Sequence, residues 1–78
     1  MDNVKQMTIS IAGVADVYDF IKEAAKVEGD VLIQRGKFTV DAKSFLGIFS
    51  IDVSQRVIVI YPSDAVDFEN YIRKFEVR

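Results

Sequence analysis

Arg56-Val57-Ile58-Val59-Ile60-Tyr61 constrains the fold more than any other stretch of the chain. It is β-branched nearly throughout, which favours a pleated strand over a helix. A strand this apolar belongs in the middle of a sheet, with at least one face covered. Pro62 ends it, because proline cannot donate to a strand ladder. The remaining residues must therefore supply neighbouring strands and a covering layer.

From Val4 to Ile11 the pattern alternates. Met7, Ile9 and Ile11 point one way and Gln6, Thr8 and Ser10 the other, as in a strand with one wetter face. Ala12-Gly13-Val14-Ala15 reads as a loop, and Asp16 as the cap of a first helix. Val17, Phe20, Ile21, Ala24 and Ala25 recur at helical spacing and predict its buried face. Glycine suits the position after the helix, near Val27-Glu28-Gly29. Val31–Gln34 and Phe38–Val40 flank Arg35-Gly36-Lys37 and predict a hairpin. Ser44 opens a short apolar helix running to about Ser50, with Phe45, Ile48 and Phe49 on one buried face and Leu46 pointing outward. A final helix follows a Ser63 or Asp64 cap and buries Phe68, Tyr71, Ile72 and Phe75. The order is strand, helix, strand, strand, short helix, strand, helix. With every helical stripe on one side, it predicts an α+β open-faced sandwich whose sheet is wholly or mostly antiparallel.

Composition removes several function classes. The 78 residues are 50% hydrophobic and include six phenylalanines, enough for the core of one domain spanning 1–78 without staples. Neither cysteine nor histidine is present, which excludes disulfides, thiolate metal sites and imidazole acid–base chemistry. Ten basic and twelve acidic residues give a net charge of -2, so no basic excess exists to neutralise a nucleic-acid backbone. The opening residues lack the apolar core of a signal peptide, and no apolar run is long enough to span a bilayer. The expectation is a cytoplasmic protein that binds neither nucleic acid nor membrane and uses no metal or other cofactor. The carboxylate pairs Asp16/Asp19 and Asp64/Asp67 sit at helix starts, where acids are expected anyway. Tyr18, Tyr61 and Tyr71 are spread over three elements and predict no aromatic platform.

Three stretches carry a family resemblance. They are Phe20-Ile21-Lys22-Glu23-Ala24, then Gly36-Lys37 with Ala42-Lys43-Ser44-Phe45-Leu46-Gly47, then Val57-Ile58-Val59-Ile60. In order and spacing the chain resembles the HPr family, the small phosphocarrier proteins of the bacterial sugar phosphotransferase system. The resemblance implies a four-stranded antiparallel sheet with three helices on one face, in the order βαββαβα. It also implies a phosphoryl-carrying histidine, followed shortly by arginine and proline, before the first helix. Those positions fall at Gly13, Ala15 and Asp16. The nucleophile and the cation are absent, and an anion stands where a dianion would sit. The resemblance therefore implies a member that cannot carry phosphate on histidine and is not an enzyme.

The same resemblance makes Ser44 the candidate for regulatory phosphorylation by a serine kinase, with Lys43 beside it. As a helix cap alone, Ser44 would contribute ~1 kcal/mol. It also makes Lys43, Phe45, Leu46, Gly47 and Phe49 candidates for docking protein partners, either of the phosphotransferase system or transcriptional regulators. Leu46 could equally serve a homodimer contact or be a tolerated surface leucine. Two alternatives to a regulatory docking variant stay open: a phosphocarrier using an unusual acceptor such as Asp16, and a dimerising scaffold unrelated to sugar transport.

Overall fold

The structure, a computed structural model, describes residues 3–77. The elements are β1 (Val4–Ile9), α1 (Val14–Ala25), β2 (Leu32–Arg35), β3 (Phe38–Asp41), α2 (Phe45–Phe49), β4 (Val57–Pro62) and α3 (Val66–Ile72), which runs on into a 3-10 turn at Arg73–Phe75. The sheet order is β1-β4-β2-β3, and every pairing is antiparallel. The β-branched run is therefore central, between β1 and β2. Met7 lies opposite Val59, Val59 opposite Ile33, and Ile33 opposite Val40, so one row of apolar side chains crosses the sheet on one face.

That face is the floor of the core. Met7, Ile9, Ile33, Val57, Val59 and Tyr61 pack in a single cluster with Val17, Phe20 and Ala24 of α1, Ile48 of α2, and Phe68 and Ile72 of α3. The Phe68 ring joins the layers, 5.8 Å from Phe20 and 5.9 Å from Tyr61. The alternate residues Gln6, Thr8, Leu32, Gln34, Ile58 and Ile60 are half-buried or exposed on the other face, which no helix covers. This is the open-faced α+β sandwich expected.

Several boundaries differ from expectation. β1 ends at Ile9 rather than Ile11, because the next two amides leave β4: Ser10 donates to the Phe75 carbonyl and Ile11 to the Val53 carbonyl. α1 begins at Val14, ahead of the expected Asp16 cap. Gly13 takes the extended cap conformation (φ -92, ψ 140) without a side-chain hydrogen bond, and Asp16 sits inside the first turn. Its charge still complements the helix dipole there. Ala25 is exposed, and the helix ends at that residue; Gly29, at φ +98, shapes the loop beyond it. Neither Ser63 nor Asp64 caps α3, whose N-cap Ala65 instead donates its backbone amide to the Pro62 carbonyl. Pro62 is the last residue of β4 rather than the first beyond it.

The hairpin forms with Gly36 and Lys37 as its two turn residues, Arg35 facing Phe38. Gly36 has φ +61, and no non-glycine residue described has positive φ. Glycine first and a negative φ second is the type II′ pattern, whose twist matches the flanking strands.

Candidate functional site

Two helix segments build the candidate surface. On α1, Val14 and Tyr18 are four residues apart and share one side of the helix. On α2, Phe45 and Phe49 do the same. The two pairs meet: the Tyr18 ring lies 5.1 Å from Phe45 and 5.8 Å from Phe49, and Phe45 lies 5.2 Å from Phe49. All three rings are tilted, in the range where aromatic pairs attract.

This cluster is not core. Phe45 and Phe49 are 48% and 47% exposed, against the expectation that they would be buried beside Ile48. A helix of five residues can turn only a narrow strip inward, and Ile48 alone fills it. Tyr18 is 44% exposed and stays apart from Tyr61 and Tyr71 as expected, but it forms an aromatic platform with two phenylalanines. Leu46, at 83%, points outward as expected, and Val14 extends the patch toward Gly13. Periodicity could have paired Val14 with Tyr18, but nothing local places them beside α2.

Ser44 holds α2 in place. Its Oγ accepts from the Gly47 N–H at 3.0 Å, satisfying one of the free amides at the helix start. Gly47 is needed for room rather than for an unusual backbone angle. A Cβ there would lie 3.2 Å from the Asp41 carbonyl oxygen, 3.2 Å from Ser44 Cβ and 3.3 Å from Ser44 Oγ. Lys43 does not face the serine hydroxyl as a free cation. Its Nζ donates to the Val27 carbonyl at 2.7 Å, just beyond α1, and its backbone amide donates to Asp41 Oδ1 at 2.9 Å. The Lys43 ammonium thus ties the segment before α2 to the backbone just beyond α1. Asp41 also accepts from the Ser44 amide through its carbonyl, so the serine stands next to an acidic residue.

The α1 end has a different character. Gly13 is exposed at the N-cap, and a Cβ there would meet only Asp16 Oδ2, at 3.7 Å. A side chain would fit, but any phosphoryl group it carried would sit against a carboxylate. Ala15 brings no cation. Among the described residues no group of three or more Asp or Glu side chains is placed to hold a metal ion.

The strongest electrostatic perturbations lie elsewhere. Tyr61 donates to Glu69 Oε2 at 2.7 Å, and Lys5 reaches the same oxygen at 3.3 Å. Burial first, then the Glu69 hydrogen bond, pushes the Tyr61 phenol from 10.0 up to about 12. The same hydrogen bond holds the Glu69 carboxyl below its ordinary value. Burial also pushes Tyr71 up to about 12, with Asp19, Glu23 and Asp16 adding to the shift. Lys5, Tyr61 and Glu69 thereby tie β1, β4 and α3 together, while the buried Tyr71 hydroxyl has no hydrogen-bond partner among the described residues.

The β1-β4-β2-β3 antiparallel sheet, covered on one face by three helices in the order βαββαβα, defines the HPr class of fold. In particular, the chain is similar in structure to the crystal structure of a phosphocarrier protein HPr from Bacillus anthracis str. Ames. The TM-score is 0.74 at 21% identity, covering 97% of this chain and 100% of that one. No family model and no curated protein matches the sequence.

Proposed function

We propose that this protein acts by docking to other proteins through the Tyr18–Phe45–Phe49 face and Leu46, as a cytoplasmic HPr-like regulator of sugar uptake or carbon-source use. It does not relay phosphate on histidine and is not an enzyme. The observation that carries the reading is the surface itself: three tilted rings in mutual contact at half exposure, beside a leucine almost wholly in water. Clustered exposed aromatics of this kind mark interaction sites, where they supply large contact area at low ordering cost. The emptied α1 end supports the same reading, since phosphoryl transfer needs a nucleophile in a cationic setting.

Ser44 is the proposed switch of this face. It lies immediately before Phe45, and a phosphate there would place a dianion at the rim of the patch, on the very oxygen that accepts from the Gly47 amide. Modified protein would lose partners that bury the rings.

Enzyme I with phosphoenolpyruvate should add no phosphoryl mass to the chain; a gain on any residue refutes the non-carrier reading. Titrating isotope-labelled protein with enzyme I or an HPr-type serine kinase should shift the resonances of Tyr18, Phe45, Leu46 and Phe49. Leu46→Ser should weaken that binding roughly thirtyfold, the loss of one buried leucine side chain, about 2 kcal/mol. Its own stability should change by less than about 0.5 kcal/mol. Binding indifferent to this substitution would move the docking face elsewhere. The kinase should phosphorylate wild type and not Ser44→Ala; equal outcomes would remove Ser44 from the mechanism.

A further inference from the structure

β3 is an edge strand, and among the described residues nothing pairs with its outer side. The opposite edge is different. β1 is partly covered by the C-terminal segment, through an Ile9–Glu76 bridge and the Val77 amide on the Thr8 carbonyl. Open edges are normally blunted by proline, a bulge or a mid-strand charge. β3 is only four residues long, but Phe38-Thr39-Val40 within it carries none of these. Phe38 is 65% exposed.

The hydrogen-bond phase of β3 can be read directly. Ala42 N–H bonds to the Val31 carbonyl opposite it. In an antiparallel ladder bonded pairs alternate, so Val40 and Phe38 also turn their amides toward β2, while Asp41 and Thr39 turn theirs outward.

From this edge we infer that two copies of the chain associate by antiparallel pairing of β3 with β3, about an axis through Thr39. The sequence Lys37-Phe38-Thr39-Val40-Asp41 is self-complementary in that register. Thr39 faces Thr39 of the second copy as a bonded pair, using the outward amides and carbonyls. Lys37 faces Asp41, opposite charges at each end, and the Asp41 amide meets the Lys37 carbonyl. The Asp41 carbonyl is already taken by Ser44 and is not needed. Phe38 faces Val40 in the closely spaced non-bonded position, on the helix side of the sheet. An aromatic on a β-branched residue is a favourable cross-strand pair. A groove lined by Val40, Ile51 and Phe38 lies on that side and would receive the second copy's Phe38. The product is a continuous eight-stranded sheet. One strand edge is a small interface, so the dimer is weak and concentration-dependent.

Sedimentation across a wide concentration range should show mass doubling at the concentrations used for NMR. Over the same range, amide exchange at Thr39 and Asp41 should slow, while Phe38 and Val40 stay protected throughout. Thr39→Pro removes an outward amide that its own sheet does not use and should abolish association. Lys37→Glu alone and Asp41→Lys alone should each be monomeric, because like charges then oppose. An equimolar mixture of the two should associate again, since every end pair is once more of opposite sign. A mass independent of concentration overturns the inference. So does a mixture that stays monomeric, or association that survives Thr39→Pro and is lost in Leu46→Ser, which would place the contact on α2.

Discussion

Gly47→Ala sets two effects of opposite sign against each other, and the structure decides between them. Gly47 lies inside α2 without a positive φ, so helix propensity alone favours alanine by about 1 kcal/mol. The new methyl would lie 3.2 Å from the Asp41 carbonyl oxygen and from Ser44 Cβ, and 3.3 Å from Ser44 Oγ. The carbonyl cannot retreat easily: it is backbone at the end of β3, held by the Ser44 amide at 3.0 Å. Overpacking of this kind costs about 2 kcal/mol. The propensity gain offsets roughly half, leaving a net loss of about 1 kcal/mol. For a domain of this size that lowers Tm by about 6 °C. Ser44→Ala, which removes the cap, should cost a similar ~1 kcal/mol. The two losses should not add, because the methyl introduced by Gly47→Ala already disturbs the bond that Ser44→Ala deletes. Thermal unfolding of wild type, both single variants and the double variant measures all four corners. A rise in Tm for Gly47→Ala, or strict additivity in the double variant, would refute the crowded-cap account.

Three further outcomes follow from the packing and charge described. Phe68→Ala should cost about 3–5 kcal/mol in urea unfolding, because it empties the contact between Phe20 and Tyr61. The Glu69 carboxyl is held below its unfolded value, so its contribution is full above that value and is lost as pH falls through the folded one. Tyr61 is raised to about 12, so its contribution is full below 10.0 and lost as pH rises toward 12. Tyr61→Phe should flatten both flanks of a Tm–pH profile, and an unchanged profile would show that the pair does not couple folding to protons. Gly13→His should fold as the parent does, since the added Cβ meets only Asp16 Oδ2 at 3.7 Å, yet still take up no phosphate from enzyme I in a mass assay.

The elements most readable in the sequence are those whose signal is local and dense. The run Val57–Tyr61 could be nothing but a covered strand, and Ser44 ahead of an apolar pentapeptide is a cap signal that the structure bears out. Caps built from backbone alone were unreadable: Gly13 and Ala65 start helices without side-chain bonds, so Asp16, Ser63 and Asp64 were the wrong candidates. The apolar character of Phe45 and Phe49 suggested burial, yet burial is decided by how much of a five-residue helix can face inward. Tyr18 joins them only because the fold brings its ring against Phe45 and Phe49, a long-range fact with no local trace. Lys43 looked like a surface cation until the Val27 carbonyl, sixteen residues earlier, claimed its ammonium.

That last bond governs how α2 can behave. The helix is strapped to its neighbour at two separated places, by rings near the start of α1 and by a cation just past its end. Sliding or rotation of α2 would have to break the ring contacts, and a shift of the segment leading into it would have to break the Lys43 bond. The proposed docking surface would thus be shaped before any partner arrives, and contact with it would demand little loss of freedom from this chain. Encounters should be quick and nearly rigid, with backbone shifts in α2 of under about 1 Å between the unbound and bound states.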